Sequence, residues 1–326
     1  MRRTACLLLT CGAAAAELTS SVIRFVDTSG AVRYGAYAGG GRARALADEA
    51  SPLSAAGPWA VRDDGATVEI ARLLAPIPRP PAIYAIGLNY WGHINATNST
   101  PPKTPSLFFK NINAFNDPFA DVVVPAASTE PDYEGELGVV LGPGDCKDVS
   151  AGDAIEACVL GFTICHDVSA RCFQIEGDGA DASGESCPGN GGQFSFSKGF
   201  DTHAPVGPAL VAPGPGDGAG LRLTTAVNGE TRQNVSTSEL VFGVREIVSF
   251  LSIGTTLPAG SVVCTGTPDG VGDTMDPQTY LQDGDVVEIT IPEVGTLANP
   301  IVRAGSNRAR REFGELDAYL PVATLR

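Results

Sequence analysis

Basic residues are scarce in this chain: 22 Lys and Arg stand against 37 Asp and Glu, giving a formal net charge of −15. Binding to nucleic acid or to an anionic membrane surface needs clustered Lys and Arg, and no such run occurs. Both partner classes are set aside. Histidine is rarer still, with three residues, and no Cys or His pair has the spacing of zinc ligands, which argues against zinc. The eight cysteines include no CxxC pair. Scattered over a chain of this length they do not read as a disulfide scaffold, and buried free thiols are the expected state. Apolar runs long enough to span a bilayer are also missing. The apolar stretch in "MRRTACLLLTCGAAAAELTS", residues 5–16, is too short to cross one. Its order of parts, arginines then apolar then small residues, is that of a targeting segment, with a plain N-terminal extension as the alternative. The cysteines do not settle the compartment; the cytoplasm is the expected location, with secretory or organellar targeting by residues 1–16 as the competing one.

What is present is glycine and proline, 39 and 24 residues, with few long amphipathic segments. The balance predicts an α+β, β-rich fold. "SVIRFVDTSGAVRYGAYAG" alternates apolar and polar residues around Thr28, Ser29 and Gly30 and predicts a β-hairpin. A proline-rich link at 76–81 then leads into a new strand at Ile83, which places a boundary near residue 75. The chain divides into a leader-like segment at 1–20, a small N-terminal β-rich domain at 21–75, a main domain at 76–310 and a C-terminal tail at 311–326. "SAGDAIEACVLGF" predicts a short helix with Ser150 as N-cap, Asp153 at the capping-box position and Gly161 ending it. "SELVFGVREIVSFLSIG" carries Leu240, Val244, Ile247, Val248 and Leu251 at helical spacing, with Gly254 as the stop. "QIEGDGADASGESCPGNGGQ" is acidic and aperiodic and predicts a surface loop. "GPGDGAG" has no strand before it or helix after it, so it is a turn rather than a cofactor loop.

"PDYEGELGVVLG", residues 131–142, poses the chemical question. In a strand, Glu134 and Glu136 project from one face. Two like charges leading into an apolar run repel each other and resist burial, so something must compensate them. A third acid, Asp167, ends the apolar segment in "GFTICHDVSAR". Three carboxylates at the ends of core strands make an all-oxygen site suited to Mg²⁺ or Mn²⁺. His166 adjoins Asp167 and so faces the opposite side of its strand.

Seven segments in order, "YAIGLNYWGH", "LFFK", "YEGELGVVLG", "HDVSAR", "SKGFDTHAPVGP", "VNGETRQ" and "CTGTPDGVG…LQDGDVVEITIPEVGTLANPI", resemble the signature segments of the fumarylacetoacetate hydrolase family. The resemblance covers roughly residues 80 to 302. It implies a mixed β-roll with flanking short helices, preceded by a small N-terminal β domain, a usual homodimer, and one Mg²⁺ or Mn²⁺ per active site. By position it implies Glu134, Glu136 and Asp167 as metal ligands and His93 and Lys198 as catalytic residues. It further implies Lys110, Arg171, Gln174, Thr265, Gly266 and Thr267 as contacts to a small-molecule 2-oxo acid or 1,3-dicarbonyl substrate.

The match departs in one place that bears on the reaction. Many relatives in the acylpyruvate hydrolase and oxaloacetate decarboxylase branch of that family pair the histidine with a glutamate three residues on, whereas "HINATN" puts Ala96 there. Alanine cannot orient an imidazole. The acidic insertion between Gln174 and Gln193 is also long, and it is a candidate lid whose Glu176 is a candidate substitute acid. The resemblance implies a metal-dependent hydrolase of carbon–carbon bonds acting on an acylpyruvate or β-diketone. Ala96 keeps open a decarboxylase, tautomerase or isomerase of a 2-oxo acid such as oxaloacetate, and a non-catalytic binding protein is the third reading.

Overall fold

The computed structural model of the chain describes residues 17–47, 51–54, 57–62, 64–144, 146–174, 191–214, 216–306 and 313–323. Residues 1–16 and the candidate lid at 175–190, with Glu176, lie outside them. Strands dominate, and the longest helix among the described residues is Val244–Leu251. The β-rich α+β expectation matches this architecture.

The hairpin predicted from alternation is present, with Ser21–Asp27 antiparallel to Val32–Gly39. Asp27 closes its turn by accepting from the amides of Ser29 and Ala31, both at 2.9 Å. With Arg42–Ala45 and Val68–Leu74, these strands join a larger 11-stranded sheet through Ser21–Asp27 against Ala204–Val211. The centre of that sheet runs Ala204–Val211, Val159–His166, Gly135–Leu141, Val262–Cys264, Ile83–Gly87, and it ends at Ser106–Lys110. A second sheet of five strands contains Arg222–Val227, Val286–Ile291 and Gly295–Arg303.

The apolar run after Glu136 is continuous because its strand is buried on both faces. Leu137, Val139 and Leu141 pack with Leu223, Ile289 and Leu297 of the five-stranded sheet, while Val140 points to a second cluster with Leu160, Leu210 and Val262. Gly135, between the two glutamates, shares the face of Leu137. A Cβ there would lie 2.1 Å from Thr225 Oγ1, so only glycine lets the second sheet approach. The E-G-E order thus combines two outward carboxylates with one close backbone contact.

Two helix boundaries differ from the sequence expectation. The first helix is Ala154–Cys158, with Asp153 rather than Ser150 at its N-cap position. Ser150 Oγ still bonds Asp153 Oδ2 at 2.7 Å, in the turn just before. Gly161 does not end that helix. It lies within the Val159–His166 strand, where a Cβ would meet Val211 O at 2.6 Å. Close strand packing, not helix termination, explains this glycine. The second helix begins at Val244, and Leu240 precedes it in a bridge to Tyr90.

The free-thiol expectation is overturned. Cys146 pairs with Cys158 and Cys165 with Cys264, at sequence separations of 12 and 99, and Cys172 is disulfide-bonded as well. Spacing carries no signal for the second pair, because strand pairing creates it: Cys165 lies opposite Glu136 and Cys264 opposite Gly138, on the two strands flanking Gly135–Leu141. Stable disulfides belong to oxidising compartments, which counts against the cytoplasmic expectation. No helix among the described residues is long and apolar enough to cross a membrane.

Candidate active site and metal centre

Glu134, Glu136 and Asp167 converge as the alternation of strands requires. Gly135–Leu141 and Val159–His166 are antiparallel neighbours with Gly135 opposite His166, so the start of one strand meets the end of the other. One carboxylate oxygen from each acid lies within 4.8 Å of the others, and all three residues are buried.

Three buried cations surround them. Lys198 Nζ donates to Glu134 Oε2 at 2.6 Å and to Asp167 Oδ2 at 2.8 Å, and it stands 5.1 Å from the centre of the Phe108 ring. Arg171 reaches Glu134 Oε1 at 2.7 Å and Asp132 Oδ2 at 2.8 Å. Lys110 pairs with the other oxygen of Asp167. Burial disfavours the charge on Glu134, yet Lys198 and Arg171 outweigh it and hold that carboxyl below the usual range. Lys198 is likewise raised despite burial, by Asp167 and Glu134. Lys110 is lowered, because burial outweighs its partner Asp167.

Glu136 is the exception. Burial, then Asp167 and Glu134, push its carboxyl well above the usual range. It accepts the Gly266 amide at 2.7 Å and forms no ion pair among the described residues. Formally, four carboxylates counting Asp132 face three cations, and Glu136 is the one left over. The donors are hard oxygens, clustered and under-compensated, so they fit a divalent cation.

A cavity of about 710 Å³ opens over this cluster. His93, Glu134, Arg171, Gln174, Lys198 and Thr267 line it, so these six predicted residues share one space. Ala96 lines it too. Glu136 and Asp167 stand behind Glu134 in the acidic cluster. Lys110, Thr265 and Gly266 are placed elsewhere. Lys110 lies behind Asp167, also donating to Val168 O at 3.3 Å. Thr265 turns its hydroxyl to Leu137 O at 2.9 Å. Gly266, at φ +105°, serves through its backbone N–H to Glu136.

His93 sits on the short helix Trp91–Ala96 and is buried, with no hydrogen-bond partner for Nδ1 among the described residues. Burial lowers its pKa from 6.5, and Glu134 opposes that only in part. The ring is therefore neutral at pH 7 and able to accept a proton.

Two supporting residues escaped the sequence reading. Asp132 holds Arg171 and accepts the amides of Gly272 at 2.8 Å and Asp273 at 3.0 Å. The signal was a third acid within the same "PDYEGE". Gln233 accepts the Gly135 amide at 3.0 Å and donates to Thr267 Oγ1 at 2.8 Å, tying the glutamate strand to the "TGTP" turn. Its signal was a buried amide, alternating with the buried Val235 on the strand Glu230–Ser236, which needs the burial to be seen.

The other two histidines are structural. His166 and His203 are fully buried, and burial with the nearby Lys110 lowers both to about 3. An unfolded chain protonates these rings as pH falls through roughly 6.5, whereas the native state resists until about 3. Native stability therefore falls with pH across that window, by roughly 1.4 kcal/mol per unit for each ring. Urea titrations at pH 7 and pH 5 are expected to differ by about 2 kcal/mol per histidine, with ring-proton shifts of the folded protein flat throughout. Rings that titrate normally in the folded state would contradict this.

The β-rich fold thus places the acidic cluster beneath a cavity of the size that small-molecule sites have. Residues 82–302 match the family described as fumarylacetoacetate (FAA) hydrolase, C-terminal, and the chain belongs to that family. It is 38% identical over 230 residues, 70% of this chain and 69% of the relative, to "Oxaloacetate tautomerase FAHD2A, mitochondrial" of Bos taurus. Among solved structures it resembles 2-hydroxyhepta-2,4-diene-1,7-dioate isomerase from Mycobacterium marinum, with TM-score 0.68 and 34% identity, covering 90% of this chain and 100% of that one. A fumarylacetoacetate hydrolase from Exiguobacterium antarcticum is similar at TM-score 0.69 and 30% identity, covering 89% and 100%.

Proposed function

We propose that this chain is a Mg²⁺- or Mn²⁺-dependent enzyme that interconverts the keto and enol forms of a 2-oxo acid or decarboxylates it, rather than a hydrolase of carbon–carbon bonds. One observation carries the choice. His93 faces the cavity with Nδ1 unpartnered among the described residues, and Ala96 stands on its helix at the position where the resemblance places an acid to orient the ring for water activation. Among the described residues no carboxylate hydrogen-bonds the ring, so nothing orients it to activate water. Two of the similar proteins named above are a tautomerase and an isomerase, which supports the same choice.

Glu134, Glu136 and Asp167 would hold the cation, which supplies Lewis-acid polarisation of the 2-oxo group when bound. The chain itself provides the proton traffic. Lys198 remains an ammonium, because two carboxylates hold its proton, and it is the donor and the stabiliser of negative charge. Neutral His93 is the acceptor. Arg171 and Gln174 supply positive potential and hydrogen bonds at the cavity wall, and Asp132 keeps Arg171 in place. With a divalent cation the formal charge of the cluster changes from one negative to one positive, which suits an anionic substrate.

Incubating the metal-loaded protein with oxaloacetate and with acylpyruvates, in isotopically labelled water, separates the readings. Keto–enol exchange or CO₂ release is expected, without label in a newly formed acid. Labelled acid from an acylpyruvate at comparable rates would restore the hydrolase reading. Ala96→Glu is expected to introduce some hydrolysis by giving His93 a partner.

A further inference from the structure

The cavity is larger than a four-carbon acid requires, since sites of about 300–1,000 Å³ accommodate drug-sized ligands. Its far wall is one segment, residues 271–278. Val271 is buried, Asp273, Thr274 and Met275 are half-buried, and Asp276 and Gln278 are exposed, so this segment runs from the interior to the mouth.

That wall is acidic and fixed. Asp132 accepts the amides of Gly272 and Asp273, anchoring the segment to the network that holds Arg171. Tyr280 OH donates to Asp273 Oδ1 at 3.0 Å and Gln278 Nε2 to the same oxygen at 3.2 Å. Neither Asp273 nor Asp276 forms an ion pair among the described residues. The cations lining the cavity there are Arg171 and Lys198, and both are committed at the metal end, to Asp132, Glu134 and Asp167. The remaining surface is apolar, from Ile86, Leu88, Phe108, Phe194 and Met275, and His93 offers its unpartnered Nδ1 to the same space.

We propose that Asp273 and Asp276 are specificity determinants that confine the substrate to 2-oxo acids whose carbons beyond the fourth carry no carboxylate. A carboxylate near the reacting carbons meets the positive end of the cavity. One placed toward the mouth meets Asp273, held by Tyr280 and Gln278, and the exposed Asp276, while the lining cations are committed at the metal end, over an apolar floor that cannot solvate it. The preferred tail is an uncharged acyl chain. This sets the chain apart from a similar protein named for a seven-carbon dioate. The inference rests on the 2-oxo-acid reading of the site.

The test uses matched seven-carbon 2-oxo acids, one ending in a methyl group and one in a second carboxylate, with full-length Mg²⁺-loaded protein. Deuterium exchange at C3 gives kcat/KM, and calorimetry gives affinity without turnover. The uncharged tail is expected to be favoured about tenfold or more in both, with the ratio shrinking as salt is raised. Asp276→Lys is expected to narrow or invert it, chiefly through KM. Because Asp276 is exposed, that variant keeps the test open if Asp273→Asn fails to fold. Preference for the diacid, or a ratio unmoved by Asp276→Lys, would overturn the proposal. Selective binding without exchange would sink the enzymatic reading and leave the specificity standing. Binding of neither ligand would sink both.

Discussion

Glu136→Gln is expected to weaken Mg²⁺ or Mn²⁺ binding by at least about a hundredfold, since removing a ligand exceeds the 10- to 100-fold cost of losing an outer-shell partner, and to remove activity with it. Metal-free stability is expected to stay the same or rise. The carboxyl is buried between two other acids with one backbone N–H for company, so the neutral amide removes repulsion and costs no ion pair. Glu134→Gln gives the contrast. It also loses the metal, but it leaves Lys198 and Arg171 short of a buried partner, a defect of about 3–5 kcal/mol. Metal titration by calorimetry and urea denaturation of both variants read the two effects separately. Wild-type affinity in Glu136→Gln would remove Glu136 from the site.

The second large effect is expected at Lys198. Its ammonium bridges Glu134 and Asp167 at 2.6 and 2.8 Å and is itself buried at the cavity wall. Lys198→Met keeps much of the side-chain volume and deletes the charge. Activity is expected to fall by about 10²–10⁴, the usual contribution of a positioned proton donor. Stability without metal is expected to drop by about 3–5 kcal/mol, because two buried carboxylates lose a shared counter-charge. Saturating divalent cation is expected to recover more of that stability in the variant than it adds to wild type, since losing the competing ammonium raises the affinity and binding stabilises with the logarithm of the cation concentration over Kd. A variant that is stable, active and indifferent to the cation would show Lys198 to be incidental.

Much of the site could be read from the chain because its residues lie at strand ends, where a period of two fixes which side chains share a face. Glu134 with Glu136, and Asp167 at the end of an apolar run, follow that rule, and the structure brings them together. The hairpin at Ser21–Asp27 and Val32–Gly39 is legible for the same reason. Less local features were not. Gly161 reads as a helix stop because glycine is common there, while its actual role is to let two strands approach. Lys110 stands in a recognisable segment, yet no spacing could say that it faces Asp167 from behind rather than the cavity.

The sequence alone determined the face shared by the glutamates, the hard-oxygen character of the ligand set, and the alanine where a catalytic acid was expected. Local periodicity and residue chemistry suffice for the first two, and the resemblance to the family supplies the third. Only the tertiary structure decided which partners compensate the charges. Lys110, Arg171 and Lys198 converge from distant strands and turns to pair three of the acids, leaving Glu136 without a cation. The pairing of Cys165 with Cys264 and the acidic wall at Asp273 and Asp276 are of the same kind. Those outcomes depend on contacts across the fold, and spacing along the chain carries no record of them.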